Sequence, residues 1–166
     1  MSDWIARAEQ KSSRNGKEKV LPITLPVNFE KSPMGNQMGE VLLSREIDLA
    51  PPAPGRDLQI SLGTMDDLGR VYFNGELVWE EIRNSSSYAQ VQFTIPAEKI
   101  KPGINRLEAR VLNILWGGGL TGPAENMYYT FGEDTPKTSL AGEWQFQKIF
   151  DLAEADPLPR EGKPLF

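Results

Sequence analysis

The chain has 166 residues, the length of one domain, and 39% hydrophobic with 25% charged residues is a globular composition rather than a disordered or membrane one. Its net charge of −5 would repel a phosphate backbone, so nucleic acid is not an expected partner. With neither His nor Cys it cannot build a Ser-His-Asp or Cys-His unit, an imidazole or thiolate metal site, or a disulfide; carboxylates, Lys, Tyr and Ser remain as available catalysts.

The opening segment, residues 1 to 19, reads as a short helix capped by Ser2 or Asp3 and followed by a polar linker, QKSSRNGKEK. It has no apolar signal region, and no stretch approaches 18 apolar residues, so neither export nor membrane insertion is expected of the chain as it stands. From residue 20 to 150 the pattern changes to short alternating runs. Strands are expected at 20 to 25, 40 to 49, around Leu58, Ile60 and Leu62, at 70 to 73, 76 to 79, around Val91, Phe93 and Ile95, around Leu107, Ala109 and Val111, at 126 to 131 and at 143 to 150. The separators are turn-forming: PPAPG at 51 to 55, Asn74-Gly75, Lys101-Pro102-Gly103, and Gly117, Gly118 and Gly119. Asn-Gly readily takes the two positive φ angles of a type I′ turn, so residues 71 to 79 should form a hairpin. Residues 151 to 166, with their prolines among charges, should be an extended connector. Eight or nine strands with no long helix point to an all-β antiparallel sandwich of jelly-roll type. No internal repeat indicates a solenoid or propeller.

The ordered string ISLGTMDDLGRVYFNGELVWEE, FTIPAEKIKPGINRLEARVLN, WGGG and SLAGEWQFQ resembles the β-sandwich domain, galactose-binding-like in fold, found within sialate O-acetylesterases. The resemblance covers roughly residues 20 to 150. A looser version of the pattern belongs to the sugar-binding domain of the β-galactosidase and β-glucuronidase superfamily. In the esterases the chemistry belongs to an SGNH hydrolase domain, with a GQSN-like serine block before the sandwich and an Asp and His after it. None of these blocks occurs in this chain. The resemblance therefore implies a non-catalytic insert, with the SGNH hydrolase domain of the same parent chain as partner and sialic acid or another acetylated glycan as the parent's substrate. It implies no cofactor, and a periplasmic or secreted parent. GKPLF at the end looks like the approach to a resuming hydrolase, Trp4 like a remnant of what precedes the insert, and the initial Met like an engineered start. Two positions depart from the family pattern: Phe29 stands where Trp is usual, and Trp79 replaces a small residue.

Several residues carry both a chemical and a plain reading. Asp66 and Asp67 offer paired acids or two calcium ligands, or they cap their own turn as Asx residues, which is the expectation. Glu80 and Glu81 invite a glycosidase reading, but adjacent strand residues face opposite ways. The triple glycine is expected to be a loop rather than a phosphate cradle, because no Lys-Ser or Lys-Thr follows. Asn84-Ser85-Ser86 satisfies the glycosylation pattern. The candidates for sugar recognition are Trp79 and Trp116, which could stack on a sugar face, with Arg83, Tyr88 and Asn113 as hydrogen-bonding neighbours. Either Trp could instead fill the core or contact a hydrolase domain. Trp144, inside an alternating strand, is expected in the core. A scaffold insert should leave an apolar patch uncovered, whereas a carbohydrate-binding module should hold an exposed Trp in a concave polar site.

Overall fold

The structure, a computed structural model, describes residues 19–51, 54–82, 88–114 and 117–152. The expected terminal helix and most of the expected extended connector lie outside these residues. Eleven strands form two antiparallel sheets: β1 Val20–Leu25, β2 Val27–Asn28, β3 Gly39–Leu49, β4 Leu58–Asp66, β5 Leu68–Phe73, β6 Glu76–Glu81, β7 Ala89–Ile95, β8 Gly103–Asn113, β9 Gly119–Thr130, β10 Thr138–Ser139 and β11 Gly142–Asp151. One sheet has six strands in the order β1-β11-β3-β8-β5-β6. The other has the order β10-β9-β4-β7, with β2 paired to β9. Nine strands match the segments expected from alternation; β2 and β10 are two-residue additions too short to leave a periodic trace.

The period-two pattern explains which face each strand buries. In β8, Leu107, Ala109 and Val111 point inward; in β3, Val41, Leu43 and Ile47 do the same. They meet Leu58, Ile60, Leu62 and Met65 of β4, Val91 and Ile95 of β7, and Leu120 and Met127 of β9 in one continuous core. Trp144 and Phe146 of β11 close it, and the Trp144 ring, only 2% exposed, donates its Nε1-H to the Leu140 carbonyl at 2.7 Å. Phe29, on a one-turn 3-10 segment Phe29–Lys31 after β2, is fully buried. A smaller cluster of Leu68, Leu112 and Phe150 packs separately.

Two departures from expectation have a local reason. β9 begins at Gly119, seven residues before the expected start, so the last of the three glycines and the Leu120-Thr121-Gly122-Pro123 run lie within a strand rather than a loop. Its pairing with β4 jumps from Leu62↔Met127 to Thr64↔Gly122, so residues 123 to 126 bulge outward into solvent. A proline is tolerated at such a bulge because no ladder hydrogen bond is required of it. A second bulge, opposite β7 between Ser61 and Gly63, breaks the alternation of β4 and leaves every one of its residues except Gln59 buried.

The hairpin is as expected. β5 and β6 are joined by Asn74 at φ 50 and Gly75 at φ 83, both in the left-handed region of a type I′ turn. Asn74 reaches further. Its backbone N-H donates to the Arg106 carbonyl at 2.8 Å, its Oδ1 accepts from the Arg106 N-H at 2.9 Å, and its Nδ2 donates to Asn105 Oδ1 at 2.9 Å. Asn105 is fully buried and holds the turn before β8 through bonds to the Lys101 and Gly103 carbonyls. The hairpin tip and the Lys101-Pro102-Gly103 turn are therefore one hydrogen-bonded unit at one end of the sandwich.

Candidate functional site

The opposite end carries a second polar network, which brings the Asp-Asp pair and the triple glycine together. β4 ends at Asp66 and β8 at Asn113, and β9 starts at Gly119 beside them, with Asp66↔Gly119 as a register pair. Asp66 accepts a hydrogen bond from the Gly118 N-H, and Asp67 Oδ2 accepts from the Ile114 N-H at 2.8 Å. The Gly118 carbonyl in turn accepts from the Phe29 N-H at 3.0 Å. Asn113 Nδ2 donates to the Gln37 carbonyl at 3.1 Å. The two aspartates thus strap a loop some fifty residues away in sequence, a longer reach than the local Asx cap expected of them, because the corner between β4 and β5 sits directly against the β8 to β9 connection.

Gly118 is required here by space as well as conformation. At φ +78 a Cβ would lie 2.6 Å from Asn113 Oδ1, whereas Gly75, at φ +83, has nothing within 4 Å. Gly118→Ala is therefore expected to cost about 2–3 kcal/mol, combining left-handed strain with overpacking, and Gly75→Ala about 1 kcal/mol from strain alone. Urea unfolding of the two variants checks the difference.

Burial raises the Asp66 pKa above its ordinary value, and the neighbouring Asp67 adds to this by its charge and by a hydrogen bond; the Gly118 N-H opposes them. The sign follows from linkage. The folded state holds the Asp66 proton to higher pH than the unfolded chain, so stability falls as pH rises from the ordinary carboxylate value of 3.8 through the raised one. Asp66→Asn keeps the acceptor for Gly118 and removes the ionisation. Its melting temperature should equal or exceed that of the parent at neutral pH, with the gain vanishing toward pH 4; a loss of stability at every pH would contradict this account.

The sequence candidates are scattered rather than gathered. Trp79, on the edge strand β6, is half-buried and packs against the core. Tyr88 is 66% exposed at φ 88. Asn113, expected to offer hydrogen bonds to a sugar, is 1% exposed and faces the end network instead, because β8 runs two residues further than its apolar alternation indicates. Trp116, Arg83 and the Asn84-Ser85-Ser86 triplet lie outside the described residues. Glu80 is exposed and paired with Arg70 at 2.9 Å. Among the described residues the exposed large apolar side chains do not form one patch: Val20 and Leu77 stand on opposite edge strands of the six-stranded sheet.

A surface not anticipated as a site lies on the outer face of the five-stranded sheet. Register pairing lines up Thr94, Gln59 and Thr130 in one row, and Gln92, Ser61 and Tyr128 in the next. Beyond them Gln90 Nε2 donates to Thr64 Oγ1 at 2.9 Å. A cleft of about 280 Å3 is lined there by Gln59, Ser61, Gln92, Thr94 and Tyr128, with Ile60 and Phe93 at its floor. The Lys137 ammonium lies 4.2 Å from the Tyr128 ring centroid at its side. The signal for this face was present in the sequence, since the alternation that places Ile60 and Phe93 inward places Gln59, Ser61, Gln92 and Thr94 outward. The six-stranded sheet differs: its outer face carries the ion pairs Arg110–Glu40 at 2.7 Å, Arg106–Glu108 at 2.8 Å and Arg70–Glu80.

No protein-family model and no curated protein matches the chain. Among solved structures it is similar to the Ruminococcus gnavus β-glucuronidase, with a TM-score of 0.51 and 15% identity over 84% of this chain and 25% of that one. The same enzyme in complex with D-glucuronic acid gives a TM-score of 0.51 at 14% identity, covering 85% and 26% of the two chains. A GH2 β-galacturonidase from Eisenbergiella tayi bound to galacturonate gives 0.49 at 18%, covering 80% and 21%. The chain spans about a quarter of the length of these proteins, and at such identities the likeness is one of fold.

Proposed function

We propose that this sandwich is a non-catalytic accessory domain of a carbohydrate-active enzyme, and that the enzyme is a sialate O-acetylesterase whose SGNH hydrolase domain it buttresses. The observation that carries the reading is the use made of the shared motif residues. Asp66 holds Gly118 and Asp67 holds Ile114, Asn74 and Asn105 hold each other, and Trp144 is buried, so the residues behind the family resemblance serve as framework. The parent would cleave O-acetyl groups from sialic acid through a serine in the hydrolase domain. This chain would shape the entrance to that site. A second reading, an accessory sandwich of a β-glucuronidase-superfamily hydrolase, is favoured by the fold likeness to the Ruminococcus gnavus enzyme.

The coding sequence on either side of the chain separates the two. A GQSN-like serine block upstream with an Asp and His downstream supports the esterase reading. A glycosidase barrel with paired glutamates supports the second, and neither would overturn both. The chain itself, assayed on O-acetylated sialic acid and on aryl glucuronides, should give no turnover above buffer; turnover abolished by Asp66→Asn would make it an enzyme in its own right.

A further inference from the structure

We propose that the outer face of the five-stranded sheet is a binding site for an uncharged oligosaccharide. Along the rows Thr94-Gln59-Thr130 and Gln92-Ser61-Tyr128, strands about 4.8 Å apart present Thr94, Gln59, Gln92 and Tyr128 to the cleft, while Ser61 and Thr130 are buried with their hydroxyls bonded within the fold. The amides of Gln59 and Gln92 each supply donors and an acceptor, and the hydroxyls of Thr94 and Tyr128 supply both, which matches the hydroxyl groups of a sugar. No Asp, Glu, Lys or Arg lines the cleft. In a chain that is one-quarter charged, and whose other sheet carries ion pairs on its outer face, this absence along two adjoining strands sets the face apart.

The chemistry also decides among occupants. An anionic polymer needs several cations, and among the described residues none lines the cleft, Lys137 standing at its side over the Tyr128 ring. A protein or membrane partner needs apolar area, and here the apolar residues lie beneath the polar ones. A neutral glycan needs hydrogen-bonding groups in a fixed array with an aromatic ring nearby, and Tyr128 supplies the ring, with the Lys137 ammonium 4.2 Å from its centroid. Gln59, Gln92 and Thr94 make no side-chain hydrogen bond to another described residue, so their groups face solvent. Ser61 Oγ, by contrast, donates to the Asn126 carbonyl at 2.6 Å and ties down the end of the β9 bulge.

This inference rests on the carbohydrate reading above for its ligand class, but its test is independent of the parent enzyme. The full chain, labelled with 15N, is titrated with xylohexaose, cellohexaose and galactotetraose, and with tetragalacturonate as the acidic comparison. The expected result is saturable shifts centred on Gln59, Gln92, Thr94 and Tyr128 with at least one neutral sugar. Affinity should fall about tenfold or more in Tyr128→Ala and in Gln92→Glu, which places a charge on the face, and should stay unchanged in Trp79→Phe. All three variants should retain the dispersed spectrum of the parent. Shifts confined to Trp79 or Tyr88, preference for tetragalacturonate, or no shift at millimolar neutral sugar would overturn the proposal. A negative titration beside a serine block in the flanking coding sequence would reject this face and leave the accessory-domain reading standing.

Discussion

Replacing Trp144 by Ala should cost about 3–5 kcal/mol and lower the melting temperature by about 10 °C or more. The ring is among the largest fully buried side chains, inside β11 between β1 and β3, where Ile23 and Phe146 pack in the same core. Its removal leaves a cavity that two paired strands cannot close without breaking their register. Trp144→Phe separates packing from hydrogen bonding. The Leu140 carbonyl that accepts from Trp144 also accepts from Arg45 Nη1 at 3.0 Å, so it keeps a partner in that variant. The cost should then be about 1–2 kcal/mol. Urea or thermal unfolding followed by circular dichroism reads both; equal losses in the two variants would place the energy in the hydrogen bond instead of the ring.

Asn105→Ala is the second large effect, expected at about 2–4 kcal/mol. The side chain is fully buried and makes four bonds: Nδ2 to the Lys101 and Gly103 carbonyls at 2.7 and 3.0 Å, and Oδ1 from the Lys101 N-H at 3.1 Å and from Asn74 Nδ2 at 2.9 Å. Alanine strands those partners, two of them backbone carbonyls turned inward. Asn105→Asp keeps the acceptor for Lys101 and Asn74 but sets a carboxylate against two carbonyl oxygens. Its deficit should therefore shrink as the pH is lowered and the acid protonates, whereas the alanine variant should be equally impaired throughout.

The architecture was legible because alternation is a local property. Leu107, Ala109 and Val111, or Val91 and Ile95, announce a half-buried strand without reference to any other part of the chain. Asn74-Gly75 likewise announces its turn. What could not be read is anything that depends on which strand lies beside which. Asp66 and Asp67 look like a local cap until β8 and β9 are placed against their corner. Asn113 looks exposed because it follows the last apolar residue of its strand, and it is buried because β8 continues into the end network. The polar lattice on the five-stranded sheet escaped notice for the same reason. Gln59, Gln92 and Tyr128 are unremarkable surface residues until pairing of β4 with β7 and β9 brings them into two rows. Of the two tryptophans at predicted strand ends, Trp79 is the one with a described position, and it lies half-buried against the core.

The pairing of β1 with β11 has a geometric consequence for anything the domain is joined to. Val20 lies opposite Gln147, at the usual antiparallel separation of about 5 Å, and the described chain leaves only a few residues later, past Asp151. Entry and exit are thus neighbours at one end of a single sheet. A polypeptide continuing from both would hold the sandwich at β1 and its neighbour β11, so β6, the opposite edge strand of the six-stranded sheet, is the part of that sheet farthest from the attachment.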